Sequence, residues 1–415
     1  MSEIVCFIFW ILLILGIFAI YLHNDLLNPL TGYLLPISIG FILYYYLYRI
    51  EHQVTERTLL CFSFGAICFL IGYFVFGYFF KQKIPINKKE RNKNNEILLL
   101  YKIIIFLGII VNCIEFYKNG ISGPFGNNFL RNVRWNSLYS GRKNFLGTYS
   151  TVFLHVTTCI LLQYGKTEKR CKQKFFVLLL LFSTIFSMAR STMLQYIISI
   201  VYICYFSKEK RGIQKKYFNI KQLLSGNIKI ICLFLVVFFA FSAVALVTNK
   251  LGGGSILDKE FYLYKYLGYP IVAFDINVMA FPRISKGYYS LGPIGKVLGI
   301  FGVYHVSEFS SLGVAGPTQF NVYSYLAAPY KDFGIIGIIV ISLFLGFISG
   351  MFYWFSIRKK GEWTVFYSVY IYGILMAFYS YQFAMTYYFY IAAILILYRC
   401  VKIKKNRIVL LQSIK

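Results

Sequence analysis

Acidic side chains are scarce in this chain. Its 415 residues carry 15 Asp and Glu against 43 Lys and Arg, a formal net charge of +28. The aspartates are Asp25, Asp258, Asp275 and Asp332, and no D-x-D pair exists. That argues against a metal-dependent nucleotide-sugar transferase. The histidines, His23, His52, His155 and His305, are scattered and form no ligand cluster. The 9 cysteines lack C-x-x-C spacing, and none falls in a long loop read below as outside, so neither a zinc site nor a disulfide framework is implied. A Walker A loop and a G-x-S-x-G elbow are also missing, which removes nucleotide hydrolysis and acyl transfer by those routes. No cofactor and no metal are expected.

What the chain has is apolar surface. It is 58% hydrophobic and 20% aromatic, with a mean hydropathy of +0.63. Apolar runs of about 20 residues recur along it, each long enough to cross a hydrocarbon core as a helix. The expected fold is all-α: a polytopic integral membrane protein of about 11 spans, ten to twelve, forming a single domain over 1–415. The spans are read near 4–22, 30–48, 58–80, 97–117, 145–164, 175–189, 191–206, 228–247, 335–355, 363–380 and 381–398. The first, "IVCFIFWILLILGIFAIYL", has no basic residue before it and no small-residue cleavage site after it, so it reads as a retained span.

The positive charge sorts the loops. Residues 81–96, 165–174, 207–229, 358–360 and 399–415 hold 27 of the 43 Lys and Arg within 69 residues. The two other long loops, 118–147 and 248–333, hold 5 and 7 within 116. The dense set belongs in the cytoplasm and the sparse set outside, so the charge marks topology and contact with anionic lipid rather than a nucleic-acid partner. Loop 248–333 is too apolar for a disordered linker and is expected to hold short helices on or in the membrane surface.

Two basic loops flank "FFVLLLLFSTIFSMARSTMLQYIISIVYICYF", so the chain must cross an even number of times there. Two passes of about 16 residues reach only about 24 Å, which would recess the "SMARST" turn with Arg190 at its tip. The alternative is one long tilted helix with Ser183, Ser187, Ser191, Gln195 and Ser199 as a polar stripe beside Arg190. Either way an arginine sits in the apolar zone, at about 2.5–3.5 kcal/mol on insertion scales, which favours a functional role.

Arginine forks suit phosphate and pyrophosphate. Arg190 is the foremost candidate. Arg283 in the large outer loop, and Arg131 and Arg134 one helical turn apart in the small one, are the others, with lipid headgroups as their competing partner. Asp275, in "AFDIN", is an acid in an apolar, aromatic run, a candidate general base or a local turn or cap residue. Asp332 stands just before a span, where an N-cap competes with a base role. Asn321, Tyr323 and Tyr325 offer faces for sugar rings or for interfacial packing. Gly334, Gly337, Gly346 and Gly350 read as close helix packing, "GFISG" being a G-x-x-x-G.

The stretches "YLGYPIVAFD", "GYYSLGPIGKVLG" and "QFNVYSYLAAPYKDFGIIGIIV" resemble the oligosaccharide repeat-unit polymerases, the Wzy-type O-antigen and capsule polymerases. That family has a tyrosine-rich Asn-x-Tyr segment ending in acid-Phe-Gly-x-x-Gly at the mouth of a span, here Asp332, Phe333, Gly334 and Gly337. "SMARSTML" is similar to the family's small-Arg-Ser/Thr turn, and the order of elements agrees from about residue 97 onward. The related O-antigen ligases have His-Asn where this chain has Phe320-Asn321, so no histidine base carries over to that position.

The resemblance implies a metal-independent membrane glycosyltransferase at the outer face of the bacterial inner membrane. Its donor and acceptor would be undecaprenyl pyrophosphate-linked oligosaccharides, with a chain-length regulator as an additional partner. Arg190, Arg283, Arg131 and Arg134 would meet pyrophosphate, Asp275 or Asp332 would take the proton, and Asn321, Tyr323 and Tyr325 would contact glycan. Two other readings compete. A flippase for lipid-linked oligosaccharide predicts internal repeats and charges spread through several spans, and neither is seen. An O-antigen ligase-like transferase predicts the missing histidine.

Overall fold

The computed structural model describes residues 2–23, 25–85, 95–138, 145–164, 170–187, 190–209, 262–279, 322–383 and 386–412, together with 287, 289–292, 294, 299, 301 and 302. Among these the backbone is mostly helical. No strand occurs among them, only one isolated parallel bridge between Ser324 and Ser380. The helices are α1 (Ser2–His23), α2 (Pro29–Leu43), α3 (Glu56–Phe79), α4 (Asn95–Ile121), α5 (Phe129–Leu138) and α6 (Phe145–Tyr164). They continue with α7 (Arg170–Ser187), α8 (Arg190–Glu209), α9 (Tyr262–Ala273), α10 (Ala327–Arg358), α11 (Glu362–Leu375) and α12 (Thr386–Gln412). Two π turns, Tyr44–Tyr48 and Phe274–Met279, extend α2 and α9.

Five of these segments are long and apolar enough to cross a membrane: Ser2–His23, Pro29–Tyr48, Glu56–Phe79, Tyr101–Ile121 and Ala327–Arg358. Their burial is the reverse of a water-soluble protein's. Ile4, Phe7, Ile14 and Ile17 of α1 are more than half exposed, while Thr31, Thr58 and Ser342 are buried. Lipid solvates the first set at no cost, and helix packing supplies partners for the second.

The expected single domain divides into two compact units. Unit 1 comprises Met1–Pro85, Tyr217–Trp354 and Ile371–Met385; unit 2 comprises Ile86–Lys216, Phe355–Tyr370 and Thr386–Lys415. In unit 1, α1 and α2 pair through the stacked rings of Phe9 and Phe41, 4.1 Å apart. Asn28 caps α2 by accepting from Thr31 N–H at 2.9 Å, and the Thr31 hydroxyl reaches the Gly16 carbonyl at 3.1 Å. The helices α3 and α10 cross where Gly72 lies against the Leu343 carbonyl and Gly346 against that of Phe69. A Cβ on Gly346 would lie 2.0 Å from the Phe69 carbonyl oxygen, so only glycine permits this approach. Gly350 packs on Phe76 and Tyr73 in the same seam, as the "GFISG" spacing predicts.

Gly334 serves another purpose. A Cβ there would meet nothing within 4 Å, but its φ of 65° and ψ of −150° break α10 into two segments. The segment after the break carries the apolar span. The pair of spans expected at 363–380 and 381–398 also changes. Helix α11 stops at Leu375, 14 residues or about 21 Å long, and α12 begins only at Thr386. Between them the Ala377 carbonyl leaves the helical pattern to accept the Tyr325 N–H at 2.7 Å and the Ser324 hydroxyl at 3.3 Å. Unwound backbone of this kind survives in a membrane protein when protein groups satisfy it. Helix α9 is 12 residues long, and its Leu267 carbonyl lies against Gly40 of α2.

In unit 2, Ile105, Leu154, Leu161, Phe176, Leu180 and Tyr196 form one cluster drawn from α4, α6, α7 and α8. Phe176 and Leu180 of α7 share this cluster with Tyr196 of α8, the packing of two helices rather than of one long one. These helices have 18 and 20 residues, longer than the expected passes, because α7 starts at Arg170 and α8 runs to Glu209. Ser183 and Ser199 bond backward to Leu180 and Gln195 carbonyls of their own helices. The span expected at 228–247 lies outside the described residues.

Candidate functional site

The site is built at one end of unit 1, where α3 begins. Thr55 caps α3, its side chain accepting from Thr58 N–H at 3.4 Å. Into this helix start the π turn after α9 inserts Asp275. Its Oδ1 accepts from Thr55 N–H at 3.0 Å, the Thr55 hydroxyl at 2.6 Å and the Thr58 hydroxyl at 2.6 Å. Its Oδ2 lies 3.2 Å from His52 Nε2. Three donors and the positive end of the α3 dipole face Oδ1. Asp275 itself lies in a π turn, and His52 follows another, its N–H bonding the Tyr48 carbonyl at 2.9 Å. π turns recur at functional sites.

Phe274, next to Asp275 in the chain, and Arg57, next to Thr58, both reach Tyr330. The rings of Phe274 and Tyr330 meet edge to face at 5.6 Å, and the Arg57 guanidinium lies 5.6 Å from the Tyr330 ring centre. Arg49 stacks over Tyr45 at 4.6 Å. The Tyr330 hydroxyl is buried and has no hydrogen-bond partner. Arg49, His52 and Thr55 come from the short segment between α2 and α3, and Arg57 and Thr58 from the first turn of α3, a stretch that the sequence reading passed over. Its signal was present as "RIEHQVTERT", a dense polar stretch between two apolar runs.

Asp332 takes a different place from an N-cap of the span. It lies in the segment of α10 before the Gly334 break. Its carboxylate accepts from Tyr289 N–H at 3.0 and 3.1 Å, from Ser290 N–H at 2.6 Å and from the Ser290 hydroxyl. Tyr381 donates in turn to the Ser290 carbonyl at 3.1 Å. Asp332 is 0% exposed. Its chemistry is that of an anchor, binding the 287–292 segment to the start of α10.

Tyr325 is equally internal. Its hydroxyl is 2.7 Å from both the Tyr33 and Ser342 hydroxyls, and residues 322–326 are not helical. Tyr323 is buried beside it. Asn321 and Arg283 lie outside the described residues. Arg190 is the first residue of α8, and Arg134 lies in α5, with the side chains of both outside the described residues. Arg131 is exposed and stacks over Phe125 at 4.2 Å. Helix α5 is held by Asn132, whose amide donates to the Gly120 and Gly126 carbonyls at 3.0 and 2.8 Å.

Unit 2 has its own buried polar group. His155 Nδ1 is hydrogen-bonded to the Tyr387 hydroxyl, its ring lies 4.2 Å from that of Tyr196, and its Nε2 has no partner. Among the described residues no group of three or more His, Cys, Asp or Glu is arranged to hold a metal ion.

No protein-family model, no curated protein and no solved structure matches the chain.

Proposed function

We propose that the chain polymerises undecaprenyl pyrophosphate-linked oligosaccharide repeat units into a surface polysaccharide, O-antigen or capsule, at the outer face of a bacterial cytoplasmic membrane. One observation carries this reading. The three stretches that resemble the polymerases, 266–275, 287–299 and 319–340, converge in unit 1: Phe274 packs on Tyr330, and Tyr289 and Ser290 bond Asp332. Segments that carry one chemistry have reason to meet, and these meet beside a buried acid and two arginines.

In the reaction a hydroxyl of one lipid-linked unit attacks the anomeric carbon of another. The bond to the bridging phosphate oxygen breaks, and undecaprenyl pyrophosphate leaves. Positive side chains, with Arg190 foremost among Arg131, Arg134 and Arg283, would stabilise the charge growing on that oxygen, worth about 100-fold or more in rate per well-placed donor. An acid–base group takes the hydroxyl proton. Holding donor and acceptor in one cleft supplies much of the remaining rate. Asn321, Tyr323 and Tyr325 belong to the segment proposed as the glycan wall. The basic stretches would face the cytoplasm, near anionic lipid and a chain-length regulator.

The test is genetic. Deleting the gene should collapse the surface polysaccharide ladder to core plus a single repeat unit, restored by wild type and not by Arg190→Ala. Loss of even the single unit would point to a flippase or a ligase, and an intact ladder would sink the proposal. Reporter fusions at Asn127 and Lys286 should both report an outside location.

A further inference from the structure

We propose that His52 is the general base of this site and that Asp275 is its positioning partner; the chemical step named here rests on the polymerase reading above. The carboxylate is the less accessible of the two. The Asp275 side chain is 7% exposed and its Oδ1 is already taken by Thr55 and Thr58, so an acceptor sugar hydroxyl has no approach to it. The His52 side chain is 34% exposed, and its Nε2 faces the remaining carboxylate oxygen at 3.2 Å. With Nε2–H donating to Asp275, the Nδ1 lone pair is left to accept a proton.

The loop that carries His52 is held at both ends. Its N–H bonds Tyr48, its carbonyl accepts from the Tyr44 hydroxyl at 3.2 Å, and that hydroxyl accepts from Val54 N–H at 3.1 Å. A base held by a third group is the recurring pattern of proton-transfer sites, and here Asp275 plays the third part. In the step, the acceptor hydroxyl gives its proton to Nδ1 while its oxygen bonds the anomeric carbon. The anomeric carbon–phosphate oxygen bond breaks, and its electron pair leaves on undecaprenyl pyrophosphate. His52 becomes an imidazolium facing Asp275 and then returns the proton to water. Arg57, over the Tyr330 ring, lies in the first turn of α3 beside Thr58, which bonds Asp275.

The experiment uses the full chain in native-like membranes of the deletion host, which supply the host's own lipid-linked repeat unit. Polymerisation by His52→Gln should be about 100-fold slower than wild type, with the loss in kcat and little change in KM. Exogenous imidazole should restore part of the turnover of His52→Gly. Asp275→Asn should also lose kcat, and His52→Gln should keep the wild-type unfolding temperature. A His52→Gln enzyme within about threefold of wild type, in a host where wild type polymerises, would overturn the inference while leaving the polymerase reading intact. A second arm is independent of activity. The chain has 4 histidines, so nitrogen-15 histidine spectra can be assigned by single substitution. His52 should show one tautomer, protonated at Nε2, that becomes mixed in Asp275→Ala; a mixed tautomer in wild type would refute the pairing even if the polymer fails to form.

Discussion

Helix α3 has a buried aspartate near each end, and the two are used differently. Near its C-terminal end Asp25 is 0% exposed, and the Leu27 N–H and the Tyr353 hydroxyl donate to it, each at 2.9 Å. Around it His23 meets the Tyr73 hydroxyl at 3.1 Å and Lys81 covers the Trp354 ring at 4.0 Å. The donors named there are neutral and internal. At the N-terminal end Asp275 has a similar set of neutral donors on one oxygen, but its other oxygen faces a histidine that is one-third exposed. An acid that only ties helices together needs no path to the outside. The Asp275 end has one, through the one-third exposed His52, and the proposed base role rests on that difference.

The comparison breaks most visibly if both aspartates fail in the same way. Asp25→Ala leaves two buried donors without an acceptor, at about 1–3 kcal/mol each. The expected result is a loss of about 2–6 kcal/mol, seen as a large drop in unfolding temperature and in folded yield. Asp275→Asn keeps an oxygen for Thr55 and Thr58, so the fold should lose only about 1 kcal/mol while polymerisation falls by about 100-fold. Equal unfolding in both variants would reduce Asp275 to a second Asp25.

Gly334→Ala tests the break that sets the 327–333 segment apart from the span. Its φ and ψ lie in a region that only glycine enters easily, so alanine should cost about 1–3 kcal/mol by thermal unfolding, with no steric clash to add. A neutral effect would mean that α10 runs straight through and that the break is absent.

The apolar helices were legible from hydropathy alone, and the ends of α1, α3 and α6 fall within a few residues of the expected spans. The break between Leu375 and Thr386 was not. "MAFYSYQFAM" is as apolar and aromatic as the helices beside it, and the bond that ends α11 comes from Tyr325, more than fifty residues away in sequence. Asp275 was legible as an acid in an apolar run, but its partner His52 lies 223 residues earlier, in a stretch that looks like an ordinary charged turn. Asp332 was legible as important at the mouth of a span; that it anchors Tyr289 and Ser290 depends on a loop folding back, which spacing cannot reveal. Gly346 and Gly350 were readable because a G-x-x-x-G places both on one helix face.

Tyr353→Phe sharpens the structural side. It removes one of the donors to Asp25 and leaves the Leu27 N–H in place, so about 1 kcal/mol of stability should go. Activity measured below the unfolding transition should be unchanged, because nothing at this end of α3 is proposed to meet substrate.

Tyr330→Phe is the smallest change and the most informative about what enters the site. The Tyr330 hydroxyl is buried without a partner, so removing it should leave stability unchanged or raise it by up to about 1 kcal/mol. The ring and its contacts with Phe274 and Arg57 remain in phenylalanine. An orphan hydroxyl beside an arginine is worth keeping only if something else bonds it. Should Tyr330→Phe raise KM several-fold in the polymerisation assay with the fold intact, the missing partner is a group of the bound glycolipid. Should KM stay the same, the Asp275 end owes its chemistry to His52 and the arginines alone.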